Sequence, residues 1–234
     1  MVCLRLPSVA PLSSLAFREL GETAGDGTVA QDLQQNNPEH FAGAAFDVVG
    51  LASSAGGLTA LSAVLGALPV DFPAAAVVVQ HLDPRHRSLM AEILSRRTAV
   101  RVKQAEEGDR IAPSTVFVAP PNRHLLVNPD GTLSLSQSEL VHFLRPSADL
   151  LFESLAASYK ERAIAVVLTG TGSDGAMGVQ AIKKMGGTVI VQDQATAEFP
   201  GMPSAAIQTR GVDFILPLGE IAPALLTLVK WESR

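Results

Sequence analysis

The stretch Phe46-Asp47-Val48-Val49-Gly50-Leu51-Ala52-Ser53-Ser54-Ala55-Gly56-Gly57 passes from an apolar, β-branched run into a turn of small residues. The first half predicts a buried strand at 46–51, and the residues after the turn predict a helix over 57–68 that Pro69 ends. A strand that turns directly into a helix is the repeating unit of a parallel α/β sheet. This stretch therefore decides the fold class.

The same alternation continues towards the C-terminus. It predicts further strands at 75–80, 163–168, 188–192 and 212–216, and helices at 88–97, 147–159, 175–184, 203–208 and 219–230. Shorter strands are predicted at 115–119, 124–128 and 133–136, with a hairpin turn at Asn128-Pro129-Asp130-Gly131. We therefore expect an α/β fold with a doubly wound, mostly parallel sheet flanked by helices, and a small antiparallel insertion near 115–136. Ser147 is expected to cap the helix that follows Pro146.

Residues 1–44 lack this alternation and are polar and turn-prone. We expect them to form a mobile N-terminal extension, with at most a short helix near 15–20, followed by one folded domain over 45–232. Arg5, Pro7 and Pro11 interrupt any apolar core that a secretory signal peptide would need.

The composition disfavours several classes of function. With 18 Lys and Arg against 23 Asp and Glu, the formal net charge is -5, whereas a nucleic-acid binder needs a basic surface. The single cysteine, Cys3, cannot form an internal disulfide or a thiolate zinc site, which favours a reducing cytoplasm. The longest apolar runs are about a strand long, far below the ~20 residues that span a bilayer. We therefore expect a cytoplasmic protein without membrane insertion or nucleic-acid partner.

The residues that follow the strands are the candidates for a functional site, because open parallel sheets bind ligands beyond the carboxyl ends of their strands. Ser54 follows the first strand, His81 follows the second, and Asp174 lies in the glycine-rich loop after the strand at 163–168. A hydroxyl, an imidazole and a carboxylate at one sheet edge are the groups of a nucleophile, a base and an orienting acid. The sequence therefore indicates a hydrolase site without a cofactor or metal ion.

Each of these residues also has a structural interpretation. Ser53 and Ser54 could both be helix caps, Asp174 could cap the helix that begins near Gly175, and a lone histidine at a strand exit is often structural. Ser53 is an internal comparison, because its side chain should point elsewhere than that of Ser54.

A metal site on His81-Leu82-Asp83-Pro84-Arg85-His86 is disfavoured, because Pro84 makes a regular presentation of the two imidazoles and the carboxylate unfavourable. A dinucleotide-binding loop is disfavoured as well. Its G-x-G-x-x-G pattern would fall on Gly50, Ala52 and Ala55, so a methyl group stands where the backbone must approach the pyrophosphate. Gln80-His81 also replaces the acidic residue expected at the end of the second strand.

Six motifs together resemble the catalytic domain of the CheB-type chemotaxis protein-glutamate methylesterases. They are Val48-Val49-Gly50-Leu51-Ala52-Ser53-Ser54-Ala55-Gly56-Gly57, Val79-Gln80-His81, Ala119-Pro120-Pro121-Asn122-Arg123-His124, Arg145-Pro146-Ser147-Ala148-Asp149, Leu168-Thr169-Gly170-Thr171-Gly172-Ser173-Asp174-Gly175 and Gly201-Met202-Pro203. The motifs occur in the family's order over about residues 46–230, so the resemblance covers the whole domain.

The resemblance implies a role for each matching position. Ser54 would be the nucleophile, His81 the general base and Asp174 its acidic partner. Backbone amides of Thr171 and of the turn near Ala55 would form the oxyanion hole, and Arg145, Pro146 and Met202 would line the substrate cleft. The family hydrolyses glutamate methyl esters on cytoplasmic helices of chemoreceptors and releases methanol, and many members also deamidate receptor glutamines. Methylated chemoreceptor helices would therefore be the partners.

The sequence also departs from the family pattern. Ala52 stands where members usually have Gly, and Ala55 stands where a number of them have Thr. The usual form has a phosphorylatable receiver domain before the esterase, whereas only residues 1–44 precede it here. We expect either a constitutively active domain or control by a separate signalling or receiver protein.

Two other functions remain open at this point. The first is a non-catalytic receptor-binding or signalling module on the same fold, which would be favoured if His81 and Asp174 were too far apart to form a hydrogen bond. The second is hydrolysis of a different ester or amide, because triad residues do not encode the substrate.

Overall fold

The computed structural model of the protein describes residue 41 and residues 47–81 and 88–230. Strands and helices alternate along these ranges. The strands are β1 Val48–Ser53, β2 Ala75–Gln80, β3 Arg101–Gln104, β4 Thr115–Val118, β5 His124–Val127, β6 Leu133–Ser136, β7 Ala163–Val167, β8 Thr188–Gln192 and β9 Phe214–Leu216. The helices are α1 Gly57–Gly66, α2 Met90–Ser95, α3 Ala148–Tyr159, α4 Ala176–Lys184, α5 Gly201–Gln208 and α6 Leu218–Val229, and a 3₁₀ turn at Lys160–Arg162 follows α3.

The extension expected at 1–44 lies outside the described residues, apart from Phe41. The helix expected near 15–20 lies outside them as well. The domain bounds at 45–232 therefore stay a prediction. Within the described part of the chain, no helix combines the length and hydrophobicity needed to cross a membrane.

Seven strands form one parallel sheet in the order β3-β4-β2-β1-β7-β8-β9. β1 lies between β2 and β7. Beyond β7 the strands follow outwards in chain order, whereas on the other side β4 returns between β2 and the edge strand β3. All residues of β1, β2 and β7 are buried, as expected for strands that are covered by helices on both faces. The predicted doubly wound parallel sheet is confirmed.

The antiparallel insertion is confirmed but is smaller than expected. Among the strands of the described residues, only β5 and β6 form an antiparallel pair, and the Gly131 N–H closes its turn with a 3.0 Å bond to the Asn128 carbonyl. The strand expected at 115–119 is instead β4 of the parallel sheet, where it pairs with β2 and β3. β3 has no counterpart among the predicted strands, because Arg101-Val102-Lys103-Gln104 is largely polar and lies at an exposed sheet edge.

The two faces of the sheet belong to two separate cores. Along β1, Val48 and Ala52 face the core shared with α3, α4 and α5, whereas Val49 and Leu51 face the core shared with α1, α2 and α6. Side chains of successive strand residues point to opposite faces, which explains this alternation. The sheet is therefore held between two helical layers, and its strand ends are fixed in position.

Two glycines allow α3 to pack closely against its neighbours. A Cβ at Gly50 of β1 would lie 2.5 Å from Leu155 Cδ1. A Cβ at Gly178 of α4 would lie 2.6 Å from Phe152 Cβ and 3.0 Å from the Asp149 carbonyl oxygen. Helix–sheet packing thus accounts for Gly50 without a dinucleotide, and the close contact with Gly178 sets the position of the first turn of α3.

Gly178→Ala should lower the free energy of unfolding by about 1–3 kcal/mol, because the added methyl group overpacks the contact between α3 and α4. Gly219→Ala on α6 is the matched control, since nothing lies within 4 Å of its Cβ position. That change should be neutral or stabilising by up to about 1 kcal/mol. Urea denaturation of the two variants measures the difference, and equal stability would contradict the proposed close packing.

Candidate active site

The candidate residues lie at the carboxyl ends of three adjacent strands. Ser54 follows β1, His81 follows β2, and the loop that contains Asp174 follows β7. Backbone hydrogen bonds join the three exits: the Ser54 N–H donates to the Thr169 carbonyl at 3.0 Å, and the His81 N–H donates to the Ser53 carbonyl at 3.1 Å. The sheet changes its winding direction here, which is where open α/β sheets bind ligands.

A tight turn places Ser54 directly before α1. The Ser54 carbonyl accepts a 2.9 Å bond from the Gly57 N–H, and Gly56 adopts the left-handed conformation with φ of 75°. Gly170 packs against this turn, since a Cβ on it would lie 2.8 Å from Ser54 Cβ. The glycines of both loops therefore allow a close approach at Ser54, as the glycine-rich sequence indicates.

Ser53 and Ser54 differ in their environments. Ser53 is fully buried, and its Oγ donates to Gln80 Oε1 at 2.6 Å, whereas Ser54 is only half-buried. The Gln80 side-chain nitrogen donates to the carbonyls of Ser54 and His81 at 2.7 and 3.0 Å. One amide side chain therefore joins the turn of the candidate nucleophile to the backbone of the candidate base. Sequence analysis assigned no role to Gln80, although a polar residue at the end of an apolar strand is a usable signal.

His81 and Asp174 form a short hydrogen bond, with 2.7 Å between His81 Nε2 and Asp174 Oδ2. The side chain of Asp174 is fully buried and that of His81 is 8% exposed. Because a carboxylate only accepts hydrogen bonds, Nε2 is the donor, and in a neutral ring Nδ1 is left as the acceptor. The separation that would favour a non-catalytic module is not observed.

The carboxylate of Asp174 binds the N-terminus of α3. Its Oδ2 accepts from the Ala148 N–H at 2.6 Å, and its Oδ1 accepts from the Asp149 N–H at 3.1 Å and from Ser147 Oγ at 2.8 Å. Burial is the strongest influence and opposes ionisation, but the hydrogen bonds from His81 and α3 outweigh it and lower the pKa of Asp174. The lowered pKa favours an ionised Asp174, which is the state that its expected role as acidic partner of His81 needs.

Of the two residues expected at helix caps, Ser147 occupies the N-cap position of α3, whereas Asp174 does not occupy that of α4. Ser147 precedes α3, but its hydroxyl bonds to Asp174 and not to the amides of that helix. Asp174 does not cap α4, since Gly175 is the N-cap residue there, with φ of 97°, and the Gly178 N–H of this helix bonds to Asp149 instead. Instead, the Asp174 carboxylate caps α3, because it accepts from the first two amides of that helix, although the two lie in different parts of the chain.

A second buried carboxyl group lies next to Asp174. Asp149 Oδ1 accepts a 2.8 Å bond from the Gly178 N–H, whereas Oδ2 has no hydrogen-bond partner and lies 3.6 Å from His142 Nε2. Burial, together with the negative charge of Asp174, raises the pKa of Asp149. Sequence analysis assigned no role to this residue, although a charged residue within the apolar start of a helix could have indicated it.

The expected oxyanion-hole amides belong to the Ser54 turn, which contains Ala55, and to the loop after β7, which contains Thr171. Within the described residues, neither the Thr171 N–H nor the Ala55 N–H has a protein hydrogen-bond partner. The Thr169 hydroxyl donates to the Ala55 carbonyl at 3.1 Å and so connects the two loops. Unpaired amides are what a developing oxyanion needs, and the roles of Thr171 and Ala55 stay a prediction.

A cleft of about 250 Å³ opens beside His81. It is lined by His81, Asn122, Leu140, Phe143, Leu144, Arg145 and Pro146. Arg145 and Pro146 are among these residues, and their role in lining a substrate cleft stays a prediction. Met202 does not line this cleft, since it is buried against Gly170. The apolar residues at 140–144 carry no sequence signal, because they lie in an irregular segment.

Among the described residues, no group of three or more His, Cys, Asp or Glu side chains could hold a metal ion. Asp83 and His86, from the disfavoured metal alternative, lie outside those residues.

The comparison with known proteins agrees with this geometry. The family model for CheB methylesterase matches residues 49–225. The chain belongs to the CheB methylesterase family. The crystal structure of the Thermotoga maritima CheB methylesterase catalytic domain superposes with a TM-score of 0.76 at 36% identity, covering 79% of this chain and 100% of that one.

Relatives in the CheB family differ in length. A Leptospira interrogans protein is 42% identical over 183 residues, which cover 78% of this chain and 95% of that protein. A Burkholderia orbicola protein named protein-glutamate methylesterase/protein-glutamine glutaminase 3 is 42% identical over 187 residues, covering 80% of this chain and 55% of that protein. The chain thus spans nearly all of the first relative and about half of the second.

Gln80→Met should lower kcat for ester hydrolysis by about tenfold to a hundredfold, because small displacements of reacting groups have effects of this size. The change removes the bonds to the Ser53 hydroxyl and to the carbonyls of Ser54 and His81. Steady-state kinetics of the folded variant measures the effect. Gln194→Met is the control, since this exposed glutamine bonds only to Ser204. An equal loss of kcat in both variants would contradict a positioning role for Gln80.

Asp149→Asn should raise the free energy of unfolding at pH 7. A carboxyl whose pKa is raised by folding contributes stability in acid and loses that contribution as the pH rises through its folded-state pKa. The amide cannot ionise, and its oxygen can still accept from the Gly178 N–H. The advantage of the variant should therefore grow from about pH 4, the ordinary range of a carboxyl, upwards.

Urea unfolding between pH 4 and pH 8 measures this difference. Glu153→Gln, an exposed acid on the same helix, is the control and should change little over the range. An Asp149→Asn protein that is less stable than the wild type at pH 7 would show that the ionised Asp149 does not lower the free energy of unfolding.

Proposed function

We propose that the protein hydrolyses glutamate methyl esters on the cytoplasmic helices of chemoreceptors, with Ser54 as nucleophile, His81 as general base and Asp174 as its acidic partner. The observation that carries the proposal is the 2.7 Å bond between His81 Nε2 and Asp174 Oδ2 at the sheet edge that also presents Ser54. Membership of the CheB methylesterase family supports the reaction class. We place the reaction in the cytoplasm, because the substrate helices are there.

In the first step, His81 Nδ1 accepts the proton of the Ser54 hydroxyl while Oγ attacks the ester carbonyl carbon. The negative charge that develops on the carbonyl oxygen is stabilised by the amides of Thr171 and Ala55. The bond to the methoxy oxygen then breaks, and the imidazolium returns its proton to that oxygen. Methanol leaves, and the glutamyl group stays on Ser54 as an ester.

In the second step, His81 takes a proton from water, whose oxygen attacks the glutamyl-serine ester. The bond to Ser54 Oγ breaks, the serine regains its proton from the imidazolium, and glutamate is released. Asp174 stays ionised throughout and stabilises the imidazolium, which is the role its lowered pKa allows. The same steps deamidate a receptor glutamine, with ammonia leaving in place of methanol, and we propose this as a second activity.

Ser54→Ala should reduce methanol release from a methylated receptor by at least about 10³-fold, since loss of a nucleophile has effects of this size. Ser53→Ala is the matched control, because the neighbouring hydroxyl is buried and bonds only to Gln80. It should keep activity within about tenfold of the wild type, the cost of one lost hydrogen bond. Gas chromatography of methanol from purified proteins gives the rates.

Two outcomes would contradict the proposal. Equal methanol release by the Ser54→Ala and wild-type proteins would exclude Ser54 as the nucleophile. Binding of methylated receptor by the wild type without any methanol release would favour the non-catalytic module.

A further inference from the structure

One wall of the cleft beside His81 is formed by exposed apolar side chains. Leu140 is 52% exposed and Phe143 is 93% exposed, and both line the same cleft of about 250 Å³ as His81. Leu144 and Pro146 continue this surface. We call Leu140 and Phe143 the apolar wall. Adjacent exposed apolar side chains of this size are typical of interaction sites.

The segment that carries the apolar wall has a defined conformation. Val141 and Leu144 exchange two backbone hydrogen bonds, of 3.2 and 2.8 Å. Between them, His142 and Phe143 have φ of 49° and 64°, in the left-handed region that large side chains rarely adopt. Such unfavourable conformations persist only where the surrounding structure imposes them, and they concentrate at functional sites.

Arg145 holds the base of this segment. Its Nη1 donates to the carbonyls of Gln137 and Ser138 at 2.9 and 2.6 Å, and its Nε donates to Asn122 Oδ1 at 3.0 Å. Two of the three guanidinium nitrogens are thus bonded within the chain. We therefore assign the recognition of the substrate segment to the apolar side chains and not to the charge of Arg145.

We propose that the apolar wall binds the substrate polypeptide itself, as an amphipathic helix that carries the esterified glutamate and an apolar residue one helical turn away. This inference rests on the proposed function. His81 and Phe143 line one cleft, so a glutamyl ester that reaches the catalytic groups brings its own backbone next to the wall. Residues three and four positions apart on a helix lie about 5–6 Å apart on the same face, so an esterified glutamate and an apolar residue one turn away can face the same cleft.

The chemistry of the ester agrees with this occupant. A methyl ester is neutral, whereas its hydrolysis product is a carboxylate, and a charged group is costly to place against an apolar surface. The apolar wall therefore favours the substrate segment over the product segment. This difference would help the product to leave.

The test compares two substrates in steady-state kinetics: a methylated receptor cytoplasmic fragment, and the small ester N-acetylglutamate γ-methyl ester amide. Phe143→Ala and Leu140→Ala should each raise KM for the receptor fragment about tenfold and leave kcat within about twofold. The lost contacts stabilise the bound substrate and the transition state equally. For the small ester, kcat/KM should stay within about twofold. Phe214→Ala is the matched control, an aromatic residue 41% exposed on the edge strand β9. It should change neither KM nor kcat for either substrate.

Replacement of the apolar receptor residue three or four positions from the ester should raise KM for the wild type and not for Phe143→Ala. Unchanged receptor KM in both wall variants would overturn the proposal, and so would equal loss of activity on the two substrates. A wild-type dimer that dissociates on Phe143→Ala, with KM unaffected, would show that a second copy of the chain occupies the wall.

Failure of the proposed function is distinguishable from failure of this inference. If the wild type hydrolyses neither substrate, the proposed function fails, and binding is then measured in the Ser54→Ala background. If the receptor fragment binds Ser54→Ala/Phe143→Ala more weakly than it binds Ser54→Ala, the result would still support binding of the receptor by the apolar wall. Equal affinity would overturn it.

Discussion

The hydrogen bonds of one buried carboxylate connect the fold to the chemistry. Asp174 accepts from His81, from the Ser147 hydroxyl and from the first two amides of α3. A buried charge without partners costs several kcal/mol, and a helix N-terminus is a favourable place for a negative charge. The start of α3 therefore makes it possible to keep an ionised acid under the imidazole. If these amides moved, the acid would lose its charge or His81 would lose its partner.

The position of α3 is in turn set by close packing far from the substrate. Gly50 on β1 and Gly178 on α4 leave no room for a Cβ, so the helix is held between the sheet and α4. Asp149 adds a bond to the Gly178 N–H from the same turn that binds Asp174. Packing of the core thus sets the position of the acid, and the geometry of the site depends on the whole layer of helices.

The sequence allowed the parts of the site that depend on local patterns to be predicted. Apolar strands followed by small residues placed Ser54, His81 and Asp174 at one edge of the sheet, and the structure brings His81 and Asp174 into contact there. Features that depend on distant contacts were missed. The cap of α3 comes from a loop 26 residues away from Ala148, and β3 is an edge strand that owes its place to pairing with β4. No local pattern reports such pairings, and the irregular segment that carries Leu140 and Phe143 has no periodicity to interpret.

The orientation of the imidazole has a consequence for where the nucleophile must lie. In chymotrypsin the acid binds Nδ1 and the serine uses Nε2, the ring nitrogen far from the main chain. Here the acid binds Nε2, so Nδ1 is left, and this nitrogen lies next to the histidine's own backbone. Ser54 follows β1, which lies directly beside β2, so its turn lies close to the main chain of His81. If Ser54 uses this nitrogen, the pairing of two adjacent parallel strands sets the distance between the two side chains, and no second domain is needed to bring them together.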